Sequence, residues 1–256
     1  MRVLATYNIK GGVGKTASAV NLAYLAAREG TRTLVWDLDP QGAASFYFRI
    51  KPRIKGGGQK LIRGKTDIDS RIKATDFPGL DLLPADFSYR HLDLDLDHTK
   101  KPVKQIGKIL NPLAREYELL IIDCAPSISL VSESVFRAAD VLLVPTIPTP
   151  LSLRTLLQLL RSLDTLRAKR LGIIPFFCMV DRRKKLHRDT AALSREIPVP
   201  FLKTQIPYSS LVEQMGSVRA PLHTFARASV PARAYEALWK EIRQWMRKEK
   251  GYYTKG

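Results

Sequence analysis

The chain has 256 residues, 45% of them hydrophobic, and carries 42 Lys and Arg against 24 Asp and Glu, a formal net charge of +18. With 15 Gly and 16 Pro it is too apolar and too little biased for global disorder or a fibrous repeat, and a chain of this size buries roughly 70–75% of its unfolded surface. No unbroken apolar stretch reaches the about 18 residues of a membrane span, the N-terminal run is too short for a secretory signal, and Cys124 and Cys178 cannot build a disulfide framework, so a soluble, cytoplasmic, reduced protein is expected.

Residues 3–7 are a short apolar segment, predicted as a strand, that breaks into a Gly-rich turn over 10–14. From Thr16 to Arg28, Val20, Ala23 and Ala27 recur at helical spacing, and Gly30 ends the helix. Residues 33–36 form a second strand leading to Asp37 and Asp39, which makes the N-terminal segment a parallel βαβ unit. Residues 51–73 hold eight basic residues, the triplet Gly56-Gly57-Gly58 and little periodicity, which predicts a mobile basic loop or a short irregular helix. Residues 80–84, 119–122 and 141–144 read as strands, the latter two apolar throughout and ending at Asp123 and Pro145. A further strand over 171–180 precedes a basic run, and helices are expected over 102–116, 130–138, 151–168, 186–196 and 231–248. Near-continuous apolar strands separated by helices predict an α/β fold, a mostly parallel sheet with helices on both faces. With no internal repeat and no linker, one domain spanning 1–256 is expected.

Gly11-Gly12-Val13-Gly14-Lys15-Thr16, after a strand and opening a helix with Ala17, has the context of a phosphate-binding loop. Glycines let successive backbone N–H groups turn toward one anion, and the helix N-terminus adds its partial positive charge. Lys15 is then expected to reach the β- and γ-phosphates, and the Thr16 hydroxyl to ligate Mg2+. Phosphoryl transfer asks for charge neutralisation and a positioned water more than for covalent chemistry. Asp123, ending an apolar strand, is placed to hold Mg2+ through a water, and Asp37 is a candidate to bond the loop or a metal-bound water.

A plain phosphate loop has no need of Lys10, the lysine before the glycines. With it, the string resembles the deviant Walker A ATPases of the ParA/MinD family, whose pattern is KGGxGKT, then DxDPQ after the second strand, then an apolar strand ending in D-x-x-P. Here these are residues 10–16, Asp37-Leu38-Asp39-Pro40-Gln41 and Asp123-Cys124-Ala125-Pro126, with Ala125 where the family often has Pro. The resemblance continues in Leu82-Leu83-Pro84-Ala85, Val144-Pro145-Thr146, Met179-Val180-Asp181-Arg182, Ile206-Pro207 and Ala234-Tyr235-Glu236-Ala237-Leu238, and so spans most of the chain outside 51–76 and the last few residues. It implies a P-loop NTPase fold, ATP and Mg2+ as cofactors, and slow, partner-stimulated hydrolysis. It also implies that Lys10 crosses a nucleotide-sandwiched homodimer to the partner's ATP, that Asp39 lies in switch I and orients the attacking water, and that Met179, Asp181 and Pro207 surround the adenine.

The charge is uneven: residues 151–256 hold 21 of the 42 basic residues but only 8 of the 24 acidic ones. Such an excess predicts a surface for nucleic-acid phosphates, and without a zinc-finger, RRM or helix-turn-helix signature base reading is not expected. The sequence resembles the short family members without an N-terminal DNA-binding extension, whose ATP dimers bind DNA nonspecifically through basic residues near the C-terminal end. The candidates are Arg182, Arg183, Lys184, Lys185, Arg188, Arg219, Arg227, Arg233, Arg243 and Arg247; Thr224 stands where some relatives carry a DNA-contacting Arg, with Arg227 the nearest substitute. The implied function is a nucleoid-associated ATPase that positions a cargo, whether plasmid, chromosome region or protein assembly such as a carboxysome or chemotaxis cluster, through a ParB-like adaptor.

Residues 232–250 form a basic amphipathic helix with Tyr235, Leu238, Ile242 and Trp245 on one face, expected to pack on the sheet. The MinD branch lays such a helix on membranes, so a membrane-surface ATPase is the alternative. A redox ATPase of the iron-protein type would need cysteines at the dimer seam, which two scattered cysteines do not supply. His91, His98, His187 and His223 have no ligand spacing, and a small-molecule kinase or synthetase has no acceptor signature here.

Overall fold

In the computed structural model, which describes residues 1–64, 67–166 and 171–248, the apolar runs become strands of one sheet. They are β1 (Arg2–Thr6), β2 (Thr33–Asp37), β3 (Lys73–Ala74), β4 (Leu80–Leu83), β5 (Leu119–Asp123), β6 (Val141–Thr146) and β7 (Gly172–Phe177). Their order is β3-β4-β2-β5-β1-β6-β7. All neighbours are parallel except the two-residue β3, which pairs antiparallel with β4. β2, β5, β6 and β7 are buried at every position, as a sheet covered on both faces requires.

The helices are α1 (Lys15–Arg28), α2 (Ala43–Tyr47), α3 (Gly57–Ile62), α4 (Leu92–Asp97), α5 (Gln105–Leu110), α6 (Leu130–Ala138), α7 (Pro150–Thr165), α8 (Lys185–Leu193), α9 (Ser210–Val218), α10 (Leu222–Phe225) and α11 (Val230–Lys248). Because side chains alternate along a strand, the sheet divides the interior into two cores. Ala5, Trp36, Ile122 and Leu142 face one, with Leu61 of α3, Leu96 of α4, Ile106 of α5, Phe136 of α6 and Leu156 of α7. Leu4, Val35, Ile121 and Leu143 face the other, with Leu22 of α1, Met215 of α9 and Tyr235 and Leu238 of α11.

Local chemistry sets the helix starts. Ser129 and Ser132 form a reciprocal capping box for α6, the Ser129 N–H donating to Ser132 Oγ at 2.8 Å. Thr149 caps α7, whose first residue is Pro150, where a missing N–H costs nothing. The helix expected over 102–116 is instead broken: 3-10 turns at Pro102–Lys104 and Pro112–Arg115 flank α5, since proline interrupts the helical hydrogen-bond ladder. The helix expected over 151–168 is α7, and 167–170 lie outside the described residues, as do 249–256 at the end of the chain. The helix expected over 186–196 is α8 followed by a 3-10 turn at Ser194–Glu196.

Two segments differ in part from expectation. Of the two alternatives for 51–73, the short helix is present: α3 lies among Ile54, Leu61, Ile62 and Ile68, which are buried in the first core, and 65–66 lie outside the described residues. Asp86 Oδ2 accepts from the Ile54 N–H at 2.7 Å and Ser88 Oγ from the Gly58 N–H at 2.7 Å, fastening the segment to the end of β4. Gly58 is there because a Cβ would stand 2.8 Å from Leu92 Cδ2 and Tyr89 Cδ1. The strand expected over 171–180 stops at Phe177, because Met179 turns left-handed (φ 57°). The following chain covers that edge: Leu202 N–H donates to Pro175 O and Ile206 N–H to Phe177 O, both at 2.9 Å, and Val180 bridges Pro207.

The stripe on α11 packs as expected, with Tyr235, Leu238 and Ile242 fully buried and Trp239 donating from Nε1 to Glu29 Oε2 at 3.0 Å. No helix among the described residues is long and apolar enough to cross a membrane.

Candidate active site

β1 lies between β5 and β6, so the loop after it opens over the sheet's C-terminal edge, where ligands of open α/β sheets bind. Asn8 Nδ2 donates to Pro145 O at 2.9 Å, the Lys10 N–H donates to Asn8 Oδ1 at 2.9 Å, and Lys15 Nζ donates to Lys10 O at 3.2 Å. The loop is thus pre-folded by its own polar groups. Gly14 (φ 93°) is the position that admits no other residue: a Cβ there would lie 2.7 Å from Cys178 Sγ, just past the end of β7. Burial lowers the pKa of the Lys15 ammonium, and the nearby carboxylates Asp123 and Asp39 oppose that fall.

Two carboxylates meet beneath the loop. β2 and β5 pair in a register that sets Asp37 beside Asp123, and β1 sets Thr6 on the other side of Asp123. Thr6 Oγ1 donates to Asp123 Oδ1 at 3.2 Å, while Ser45 donates to Asp37 Oδ2 from both its N–H and its Oγ at 2.7 Å. The second oxygen of each, Asp37 Oδ1 and Asp123 Oδ2, is buried with no hydrogen-bond partner. Burial pushes the Asp123 carboxyl up to about 8, with repulsion from Asp37 adding to it and the nearby Thr16 hydroxyl opposing it. Burial likewise pushes Asp37 up to about 6, against the Ser45 bonds. Two orphaned oxygens beside a threonine hydroxyl fit an oxygen-seeking divalent cation. No group of three His, Cys, Asp or Glu gathers among the described residues, so hydroxyl, water and phosphate oxygens would complete the set.

Above the loop lies a cleft of about 380 Å3. Of the residues singled out from sequence, Gly11, Gly12, Gly14, Lys15, Thr16, Ala17, Asp39, Met179 and Pro207 line it. Tyr47, Tyr208, Val212 and Glu213 line it as well and were not anticipated; Tyr208 Oη donates to Glu213 Oε1 at 2.9 Å. For Tyr208, Val212 and Glu213 the signal was present in and just before α9: Ser209, whose Oγ caps the helix, precedes Leu211, Val212 and Met215 at helical spacing. Met179, held left-handed, is a strained non-glycine residue at the cleft wall.

The AAA domain family matches residues 1–173. The chromosome partitioning protein ParA of Caulobacter vibrioides is 29% identical over 255 residues, covering 94% of each chain. The chain belongs to the ParA/MinD ATPase family. Another family relative, the chromosome-partitioning ATPase Soj of Treponema pallidum, is 29% identical over 250 residues, covering 94% of this chain and 96% of its own. Among solved structures, one named cobyrinic acid a,c-diamide synthase from Mycobacterium smegmatis, with bound ATP analogue and magnesium, superposes with a TM-score of 0.83 at 25% identity, covering 99% of this chain and all of its own. A second structure of that protein holds ADP and magnesium. In this chain Mg2+ would supply charge neutralisation at the phosphates, and Thr16, Asp123 and Asp37 are the side chains that would hold it and its waters.

Other family positions fall outside the cleft. Val13 is fully buried in the loop's underside. Lys10 is half-buried and does not line its own chain's cleft; its ammonium has no hydrogen bond or ion pair among the described residues. Asp181, expected near the adenine, is instead clamped by Arg183, whose Nε and Nη2 donate to Oδ1 and Oδ2 at 3.0 Å; those bonds hold its carboxyl well below the usual range. Asp181 lines a neighbouring cleft with Arg182 and Arg233 that shares Pro207 and Tyr208 with the first. Among the basic candidates, Arg182, Lys184, Lys185, Arg188, Arg227, Arg233 and Arg247 are exposed. Four are engaged within the chain: Arg183 with Asp181, Arg243 with Glu29 at 2.7 Å, Arg188, whose Nη1 donates to Arg182 O at 2.8 Å, and Arg219, whose Nε donates to Phe46 O at 3.0 Å while its guanidinium stacks on the Phe46 ring.

Proposed function

We propose that this protein is a ParA-type positioning ATPase, folded as one domain over 1–256, that hydrolyses ATP slowly and works as an ATP-dependent homodimer. In this reading Lys15, Thr16 and Asp123 hold Mg2+ and the phosphates, with Asp37 bonded to a metal-bound water. Asp39, at the cleft margin with Oδ1 fixed by the Gln41 N–H at 2.9 Å, orients the attacking water. Lys10 serves the partner's nucleotide. The observation that carries this is the contrast between the two lysines: Lys15 turns into its own cleft, whereas Lys10 lies beside the cleft and its ammonium has no partner among the described residues. The dimer binds nonspecific DNA on the nucleoid in the cytoplasm, and an adaptor of the ParB kind links it to cargo and stimulates hydrolysis. The curated relatives named for chromosome partitioning support this reading, as does the surplus of exposed basic residues.

The membrane-surface alternative is disfavoured because the apolar face of α11 is already spent on the core. Size-exclusion chromatography with Mg2+ and ATP tests the proposal. Asp39→Ala is expected to elute as a stable dimer and to be retained on DNA, and a monomeric elution would overturn the scheme. Turnover that required a small-molecule acceptor would point instead to the kind of activity for which the Mycobacterium structure is named.

A further inference from the structure

We propose that the cleft between residues 50–56 and 70–74 is a phosphate-reading groove for duplex DNA whose wall is set by the nucleotide-sensing loop around Asp39. The inference rests on the DNA-binding reading above and relocates a main contact away from the C-terminal half. The cleft holds about 780 Å3 and is lined by Lys51, Arg53, Lys55, Arg71 and Lys73 with no acidic residue among them. Some arginines elsewhere are paired, as in Arg28 with Glu236 and Arg243 with Glu29. Here, among the described residues, none of the five forms an ion pair, and Arg71 Nε is buried without a hydrogen-bond partner. Five like charges facing one cavity repel each other, and an anion of high charge density relieves that repulsion.

The lining chemistry selects the ligand. No aromatic side chain lines the cleft, so it offers no platform on which unpaired bases could stack. Its apolar floor, Ile50, Ile54 and Ala74, provides no deep pocket for a peptide's anchor, since Ile54 is itself buried in the core. Cations on two facing segments, without base-reading groups, match the sugar–phosphate edge of a duplex.

The groove is also wired to the active site. Gly42, in the turn after Asp39, is left-handed (φ 67°), and a Cβ there would lie 2.8 Å from Pro52 Cβ. Ser45, which holds Asp37, accepts the Ile50 N–H at 3.0 Å through its carbonyl. Any shift of the Asp39–Gly42 turn on nucleotide exchange therefore moves Pro52 and its two flanking cations. On the other side, Arg49 Nη2 donates to Val218 O at 3.2 Å, joining the groove to the surface around Arg219.

The test is a titration of random-sequence duplex DNA with the full chain in Mg2+ and ATP over a series of salt concentrations. The triple variant Lys51→Gln, Arg53→Gln, Lys55→Gln is expected to lose at least about tenfold in affinity at low salt. Its log–log salt slope should fall by about 0.9 per phosphate contact removed, with ATP binding and dimer elution unchanged. Each single variant should lower the slope by about one such step, which keeps the test open should the triple variant misfold. A triple variant with wild-type affinity and slope, beside an Arg182→Gln, Lys184→Gln, Lys185→Gln variant that loses both, would overturn the groove and leave the DNA-binding reading standing; so would a triple variant deficient only in adaptor-stimulated turnover. A wild-type chain that binds no DNA with ATP, with ADP or alone overturns both. Pro52→Ala is expected to narrow the difference in DNA affinity between the ATP and ADP states, and an unchanged difference overturns the coupling.

Discussion

Asp37 and Asp123 stand side by side with an unpartnered buried oxygen each, so without a cation the folded chain bears their mutual repulsion and desolvation. Asp123→Asn should therefore raise the melting temperature in EDTA while abolishing the further rise that Mg2+ and ATP give the wild type, a pair of thermal melts that separates metal binding from simple packing. Gly14→Ala should abolish nucleotide binding, because the new methyl meets Cys178 Sγ and the backbone is left-handed. Adding Cys178→Ala relieves the contact but not the backbone strain of about 1–2 kcal/mol, so calorimetric ATP binding should return only in part. Lys15→Ala should lose ATP binding outright. At this scale the sequence was most legible where chemistry is local: the glycines, Lys15, Thr16 and both aspartates follow from spacing along one chain. Tyr208 and Glu213 were not, since they reach the cleft through the folding-back of the chain at α9, and Asp181 lines the neighbouring cleft, bonded to Arg183 two residues on.

The helices and strands that read most clearly were those with long periodic apolar runs. α6, α7 and α11 fall within a residue or so of their expected starts, and β5 and β6 appear where unbroken aliphatic runs required them. Segments whose order comes from distant partners were opaque. Residues 51–73 place only a few isoleucines and leucines in the core and are fastened by Asp86 and Ser88, about thirty positions away, which no local pattern announces. α11 carries a direct prediction. Leu238 is fully buried against the sheet, so Leu238→Ala should cost about 2–5 kcal/mol in urea denaturation. Exposed Lys240, one helical step away from that face, should tolerate alanine with little change.

Taken whole, the molecule keeps its phosphate loop, its paired carboxylates and Asp39 at one end of the sheet, with Lys10 beside them and its ammonium without a partner among the described residues. Lys10→Ala should therefore bind ATP with an affinity near that of the wild type, yet fail to dimerise in Mg2+ and ATP; light scattering read beside nucleotide titration distinguishes the two effects. The rims of the sheet bear on how copies meet. β3 ends one rim with two exposed residues, the first a lysine, and the chain from Leu202 to Pro207 seals the other against β7. Short cationic or covered borders of this kind discourage strand-to-strand zippering. In the proposed homodimer, copies would then meet nose to nose over the nucleotide mouth, a geometry that closes after two and gives growing fibres nothing to add onto.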